Sequence, residues 1–579
     1  MNANGNESRP PKFIRLRRLL SKGAGWLFPR GESHALSRTI ALRGLGAVYL
    51  TAILSWWAQV DELVCRDGLV PMAPWLDQVG EVLREREIGR WAALPTLFWF
   101  ADSDTAIHAM CAIGTVLAVA VVAGLAPGPC LAGLWLIYLS LAGTGDVFMH
   151  FQWDILLLEA GFLAIFLAPW KVRRLPWRGP QPMLGWGEKF ALWLQWIVVA
   201  KLMFQSGWVK LAWATPRQPE WWPDFSAMTY HYLTQPIPSW TSWWMHRLPE
   251  WWHKAEIWPM YGVELVLPFF VFLGARWRLV AALGFAGLML SILATGNFAY
   301  FNWLTIVLSI PLVADRYWSA PARLWRRIRK KPAGSGPDPT GLSPGPNPVK
   351  SPENTAAPGP DFHDSREIAS VALRGPPLAA LLALNAIVVL EDFHFASRVP
   401  DPVLPRARLK SNPVPEFASA FRRAVDPWHF AGGYGLFRTM TIDRPEIVLE
   451  GTRDGIAWRE YDARWKPDRL DVRPRFVAPH QPRVAWQFWF AALERQYDPR
   501  GRNARWFSAL VSKLLENDPV ALRLFEENPF PGAPPLAIRA KLYAYEFTTL
   551  EERLRTGNWW KRRELGPYLM PVSKSRPRL

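Results

Sequence analysis

Residues 154–170 read Asp154-Ile155-Leu156-Leu157-Leu158-Glu159-Ala160-Gly161-Phe162-Leu163-Ala164-Ile165-Phe166-Leu167-Ala168-Pro169-Trp170, an apolar run interrupted by two carboxylates. A spanning helix needs about 20 mainly apolar residues. A run of this length with charge in it reads as a membrane helix whose polar side chains face other helices. Further runs over 38–57, 104–124, 128–144, 188–209, 257–274, 278–296, 299–315 and 374–392 give about nine crossings. The sequence therefore predicts a polytopic α-helical membrane bundle over 37–315, with a last transmembrane helix over 374–392.

Outward from the bundle the composition changes. The 579-residue chain is 50% hydrophobic with a net charge of +18, and residues 1–36 and 316–331 carry much of the excess. Juxtamembrane lysines and arginines set orientation and touch anionic lipid, so membrane lipids are expected partners and nucleic acid is not. Alternating sides through nine crossings keeps the basic groups 12–30, 171–178, 276–278 and 316–331 on one face. The domain after residue 392 then lies on the other. Residues 316–373 read as a basic, Pro/Gly-rich cytosolic linker, because such a stretch buries too little apolar area to fold. Three cysteines (Cys65, Cys111, Cys130) make no disulfide framework.

Residues 393–579 read as a β-rich soluble domain with one or two helices. Ile447–Glu450 and Ala457–Tyr461 flank Asp454-Gly455, a hairpin turn signal. Val484–Phe490 fits either a strand or a helix, Trp506–Phe525 has helical spacing, and Tyr543–Phe547 reads as the final strand.

No catalytic, metal or cofactor signature stands out, so no cofactor and no metal are expected. The polar residues expected inside lipid are the candidates, because charge at that depth is costly unless paired or in a cavity. Lys201 and Glu264 sit mid-helix and are expected to pair, or else to line a ligand cavity. Asp154 can cap its helix and Glu159 can bond across helices, whereas His150 with Asp154 offers acid–base chemistry. The tryptophans of 221–258, among them Trp221, Trp222, Trp243 and Trp244, read as an interfacial belt or as a docking platform.

Several segments carry a resemblance. They include Phe151-Gln152-Trp153-Asp154 through Leu163, Thr229-Tyr230-His231-Tyr232, Tyr434-Gly435-Leu436-Phe437 and Pro479-His480-Gln481-Pro482-Arg483. Trp486-Gln487-Phe488-Trp489-Phe490 and Tyr543–Phe547 complete the set. In these the chain resembles the lipase maturation factor family. The resemblance implies a membrane-anchored folding and assembly factor for exported proteins such as lipases. In animals such factors reside in the endoplasmic reticulum membrane, and their soluble region engages the client. It makes Trp221, Trp222, Tyr230, Trp243, Trp244, His480, Arg483, Trp486 and Trp489 the expected partner-binding residues. The membrane half is also distantly similar to vitamin K-dependent carboxylase relatives. That keeps a second reading open: an enzyme modifying a lipid, quinone or polypeptide in a bundle cavity, using His150, Asp154, Glu159, Lys201 or Glu264. Compact loops and high Arg, Trp and Pro content suggest a bacterial chain, which places it in the inner membrane with a cytoplasmic N-terminus and a periplasmic C-terminal domain.

Overall fold

The computed structural model describes residues 32–171, 174–175, 181–212, 221–318, 365–397 and 413–574. The basic segment expected over 1–36 and the linker expected over 316–373 lie almost wholly outside the described residues.

Every apolar run is helical, but the count of crossings changes. Among the described residues, four helices are long and apolar enough to cross a membrane: Ala35–Trp57, Asp104–Ala123, Ala275–Thr295 and the Ala372–His394 part of Ser365–Ser397. Only 28% of the most apolar window is buried in each of the last three, so most of that surface is left to face lipid. The expectation of nine assumed that every run crosses. Pro127–Thr144 is diluted by two prolines and three glycines, and Gln152–Leu167 has 16 residues with two carboxylates. Trp186–Ala212 is long but carries Glu188, Lys189, Lys201 and Lys210. The run over 257–274 lies in a continuous helical stretch made of Glu250–Tyr261, a π-turn over Gly262–Val266 and Leu267–Phe270, which carries Lys254, Glu256 and Glu264. Phe301–Ser309 has nine residues. With the count goes the odd parity that placed the C-terminal domain on the outer face.

Local chemistry sets the helix ends. Ser103 accepts the amide of Ala106 at 3.3 Å to start Asp104–Ala123, and Gly124, at φ +78°, ends it in the left-handed region. Close approach sets some helix contacts. A Cβ on Gly161 would run into the Tyr49 hydroxyl, which donates to Leu157 O at 3.1 Å. Gly161→Ala is expected to cost about 1–3 kcal/mol through overpacking. A lowered thermal midpoint of the purified chain checks this.

The C-terminal domain is a four-stranded antiparallel sheet in the order β2-β1-β3-β4. The strands are β1 Arg444–Thr452, β2 Trp458–Tyr461, β3 Ala537–Phe547 and β4 Trp560–Ser573. The Asp454-Gly455 hairpin forms as expected: Gly455 has φ +74°, and Asp454 Oδ1 accepts the amides of Ile456 and Ala457, each at 2.8 Å. The ambiguous 484–490 run is helix Arg483–Leu493, which packs on β1. Tyr543–Phe547 belongs to β3 and is not the final strand, because β4 follows it.

One hydrophobic core runs through both halves, from Leu42 to Leu569. The C-terminal domain is thus seated on the helical half and not merely tethered to it.

Candidate functional site

The polar residues that the membrane runs carry gather where the helical half meets the C-terminal domain. Asp154 starts the first cluster. Its Oδ2 accepts the Phe151 amide at 3.0 Å, so it does cap its helix. Its Oδ1 takes the hydroxyls of Tyr138 and Tyr300, both at 2.6 Å. Arg483, from the C-terminal domain, reaches the same carboxylate at 3.3 and 3.4 Å and also donates to Phe148 O. Asp154 is 1% exposed and Arg483 0%. This is a desolvated ion pair whose lone pairs are filled by two phenols, the arrangement such a pair needs to persist in a dry interior.

Lys201 and Glu159 make the second cluster. Lys201 Nζ donates to Glu159 Oε1 at 2.7 Å and Oε2 at 3.0 Å, and to Asn385 Oδ1 at 2.6 Å. An ammonium has three N–H groups, so all are used. Glu159 Oε2 also accepts the Tyr434 hydroxyl and the Gly432 amide, the latter at 3.0 Å. Gly432 approaches so closely that a Cβ there would lie 2.6 Å from Ile155 Cγ2. Beside it, Gln205 Oε1 accepts the Tyr434 amide at 3.2 Å and Gln152 Oε1 the Gly435 amide at 3.1 Å.

The expected Lys201–Glu264 pair is therefore not formed. Glu264 pairs with Lys210, both oxygens at 2.7 Å, within the π-turn. His150 is exposed, with Nδ1 only 3.4 Å from Asp146 O, and does not join Asp154.

More brackets complete the seam. Asn297 uses its whole amide: Nδ2 donates to Ile237 O and Arg475 O, and Oδ1 accepts the amides of Val477 and Ala478. His480 Nδ1 lies 3.0 Å from Ser55 Oγ, and Trp153 Nε1 donates to Gln481 Oε1 at 2.9 Å. Arg444 donates to the carbonyls of Leu233, Gln235 and Pro236.

This seam accounts for several expected partner-binding residues. Trp221, Trp243, Arg483 and Trp486 are buried in it. Trp221 donates to Phe437 O at 2.8 Å, Trp243 packs on Trp559 and Trp486 on Trp153. Trp222, Tyr230, His480 and Trp489 are half-buried, and Trp244 is 47% exposed. Sequence reading missed Tyr138, Tyr300, Asn385 and Lys210. Tyrosine and asparagine inside an apolar run are weak signals alone, but a phenol or amide in lipid needs a partner.

Residues 36–320 match the lipase maturation factor transmembrane domain, and residues 430–571 the lipase maturation factor C-terminal domain. Lipase maturation factor 2 of Gallus gallus is 32% identical over 621 residues, covering 95% of this chain and 83% of that protein. The chain belongs to the lipase maturation factor family. Lipase maturation factor 1 of Bos taurus is 30% identical over 570 residues, covering 94% of this chain and 90% of that protein. Lipase maturation factor 1 of Homo sapiens is 28% identical over 560 residues, with 93% and 88% covered. No solved structure matches. These relatives are vertebrate, which overturns the expected bacterial source and, with it, the inner membrane and periplasm. The expected likeness to vitamin K-dependent carboxylase relatives finds no support in them either.

Segment 151–163 of the helical half meets segments 434–437 and 479–490 of the C-terminal domain at the seam, and two histidines there make it acid-sensitive. Burial, then the neighbouring His150, pushes His429 down to about 4; burial and Arg483 push His480 below its ordinary value. A histidine lowered by folding is protonated first in the opened state. The stabilisation it lends is whole above the ordinary value near 6.5 and is lost as pH falls from there toward about 4. Between pH 7 and pH 5 the amides of 432–435 and 477–483 are expected to exchange hydrogen faster, relative to those of β1 and β3. An unchanged ratio of seam to β1/β3 exchange at the two pH values would contradict this.

Proposed function

We propose that this chain is a membrane-seated maturation factor that helps a secreted lipase fold and assemble, on the membrane face that carries its C-terminal domain. The observation that carries the reading is likeness along the whole chain, both halves included, to proteins named lipase maturation factor. The geometry supports a non-catalytic role. Asp154, Glu159, Lys201 and Glu264 are bonded to neighbours, and none of them, nor His150, lines the cleft of about 450 Å³ walled by Tyr461, Lys466, Asp468 and Trp560. Asp154 and Glu159 fasten the C-terminal domain in one orientation through Arg483, Tyr434 and Gly432, as a scaffold for a client requires. Trp244 is the most exposed of the expected partner-binding tryptophans and serves as a client contact.

The test uses cells lacking their own maturation factor and a secreted lipase reporter. Expressing this chain is expected to restore active secreted lipase with its transcript unchanged. Trp244→Ala is expected to lower that yield several-fold while the chain's thermal midpoint holds. A folded, membrane-inserted chain that restores no lipase activity would sink the proposal.

A further inference from the structure

Two turns far apart in the sequence meet on the side of the molecule where the C-terminal domain sits. Asp61 and Cys65 lie four residues apart, just after helix Ala35–Trp57. Asp104 and His108 lie four apart at the start of Asp104–Ala123, so each pair projects from one face of its turn. One donor atom each from Asp61, Cys65 and His108 lies within 4.8 Å of the other two. His108 Nε2 is 3.1 Å from Asp61 Oδ1. Cys65 is buried, while the Asp61 and His108 side chains are part-exposed and leave a way in from solvent.

We propose that Asp61, Cys65 and His108 form a divalent-cation site of the zinc class, with Asp104 or water at the fourth position. A carboxylate, a thiol and an imidazole converging in this way are the donor set zinc takes, and together they are softer than a magnesium or calcium site. Tetrahedral zinc holds its donors about 3.5 Å from one another, so the 3.1 Å His108–Asp61 pair would open slightly while the wider separations, none above 4.8 Å, close. A cation bound here takes the place of the thiol proton, since the thiolate is the form that ligates.

Two neighbours bear on the site. Arg523 Nη1 stands 3.8 Å from Asp61 Oδ2, the oxygen turned away from His108, and competes weakly for that carboxylate. Trp57 Nε1 donates to His108 Nδ1 at 2.9 Å, which leaves the ring proton on Nε2. Capture of a cation by Nε2 shifts that proton to Nδ1 and turns the indole contact away. Binding therefore releases one net proton, from the thiol, and tightens as pH rises.

The proposal is independent of lipase maturation and is read from metal alone. The full chain in detergent, stripped with chelator, is titrated with Co²⁺ and then Zn²⁺. One equivalent of Co²⁺ is expected, with a near-ultraviolet thiolate-to-cobalt charge-transfer band that Zn²⁺ abolishes. The band is expected to vanish in Cys65→Ser, to weaken at least tenfold in affinity in His108→Gln, and to persist in the Cys111→Ser/Cys130→Ser double variant. That double variant keeps Cys65 as its single thiol, so it assigns the band even if Cys65→Ser folds poorly. No band from the unaltered chain, no band from the double variant, or a band surviving in Cys65→Ser would each overturn the site.

Discussion

Arg483→Met is expected to destabilise the chain by about 3–5 kcal/mol, the cost of removing one partner from a buried ion pair. The loss comes less from the bond than from what stays behind. Asp154 would keep its charge at 1% exposure, facing two phenols with no cation. Folded domains hold only about 5–15 kcal/mol in reserve, so this one change takes a large share. Asp154→Asn in the same chain removes the stranded charge, and the double variant is expected to recover most of the loss. Thermal unfolding of the four chains in one detergent measures the cycle. An Arg483→Met midpoint equal to that of the unaltered chain would show that the pair does not hold the halves together.

Lys201→Met is expected to act on the same scale, about 3–5 kcal/mol, by a different route. Glu159 would lose its ammonium but keep the Tyr434 hydroxyl and the Gly432 amide. Those two donors belong to the C-terminal domain, so the strain falls on the seam. Protease cleavage near 432–435 should quicken and secreted lipase yield should fall together. Adding Glu159→Gln is expected to restore most of both, because a neutral amide still accepts from Tyr434. If Lys201→Met left cleavage unchanged, the cluster would be a bundle contact only.

The helical half was legible because apolar runs announce helices, and the count failed because a run does not announce a crossing. Phe301–Ser309 is apolar yet too short, and the helical stretch 250–270 is long enough but carries Lys254, Glu256 and Glu264. The charges in the runs were legible as functional; their partners were not. Lys201 and Lys210 are nine residues apart, about 180° around a helix at roughly 100° per residue, so they face different neighbours. Which acid each meets depends on how Gln152–Leu167 and the π-turn pack on that helix. In the C-terminal domain the hairpin showed through Asp454-Gly455, but β4 did not. It is an edge strand carrying Gly566, Pro567 and Pro571, and edge strands tolerate residues that mask their pattern. Motifs 151–163 and 479–490 were recognisable singly, and nothing local could tell that they touch.

Their contact has a consequence for the order of synthesis. Asp154, Glu159 and Asn297 enter the membrane region long before the ribosome reaches Tyr434, Val477 and Arg483, the groups that complete them. The helical half thus waits, with its carboxylates only partly answered, until the last quarter of the chain emerges. A chain that stops short of Arg483 leaves Asp154 without its cation. The seam therefore closes only when both halves are present.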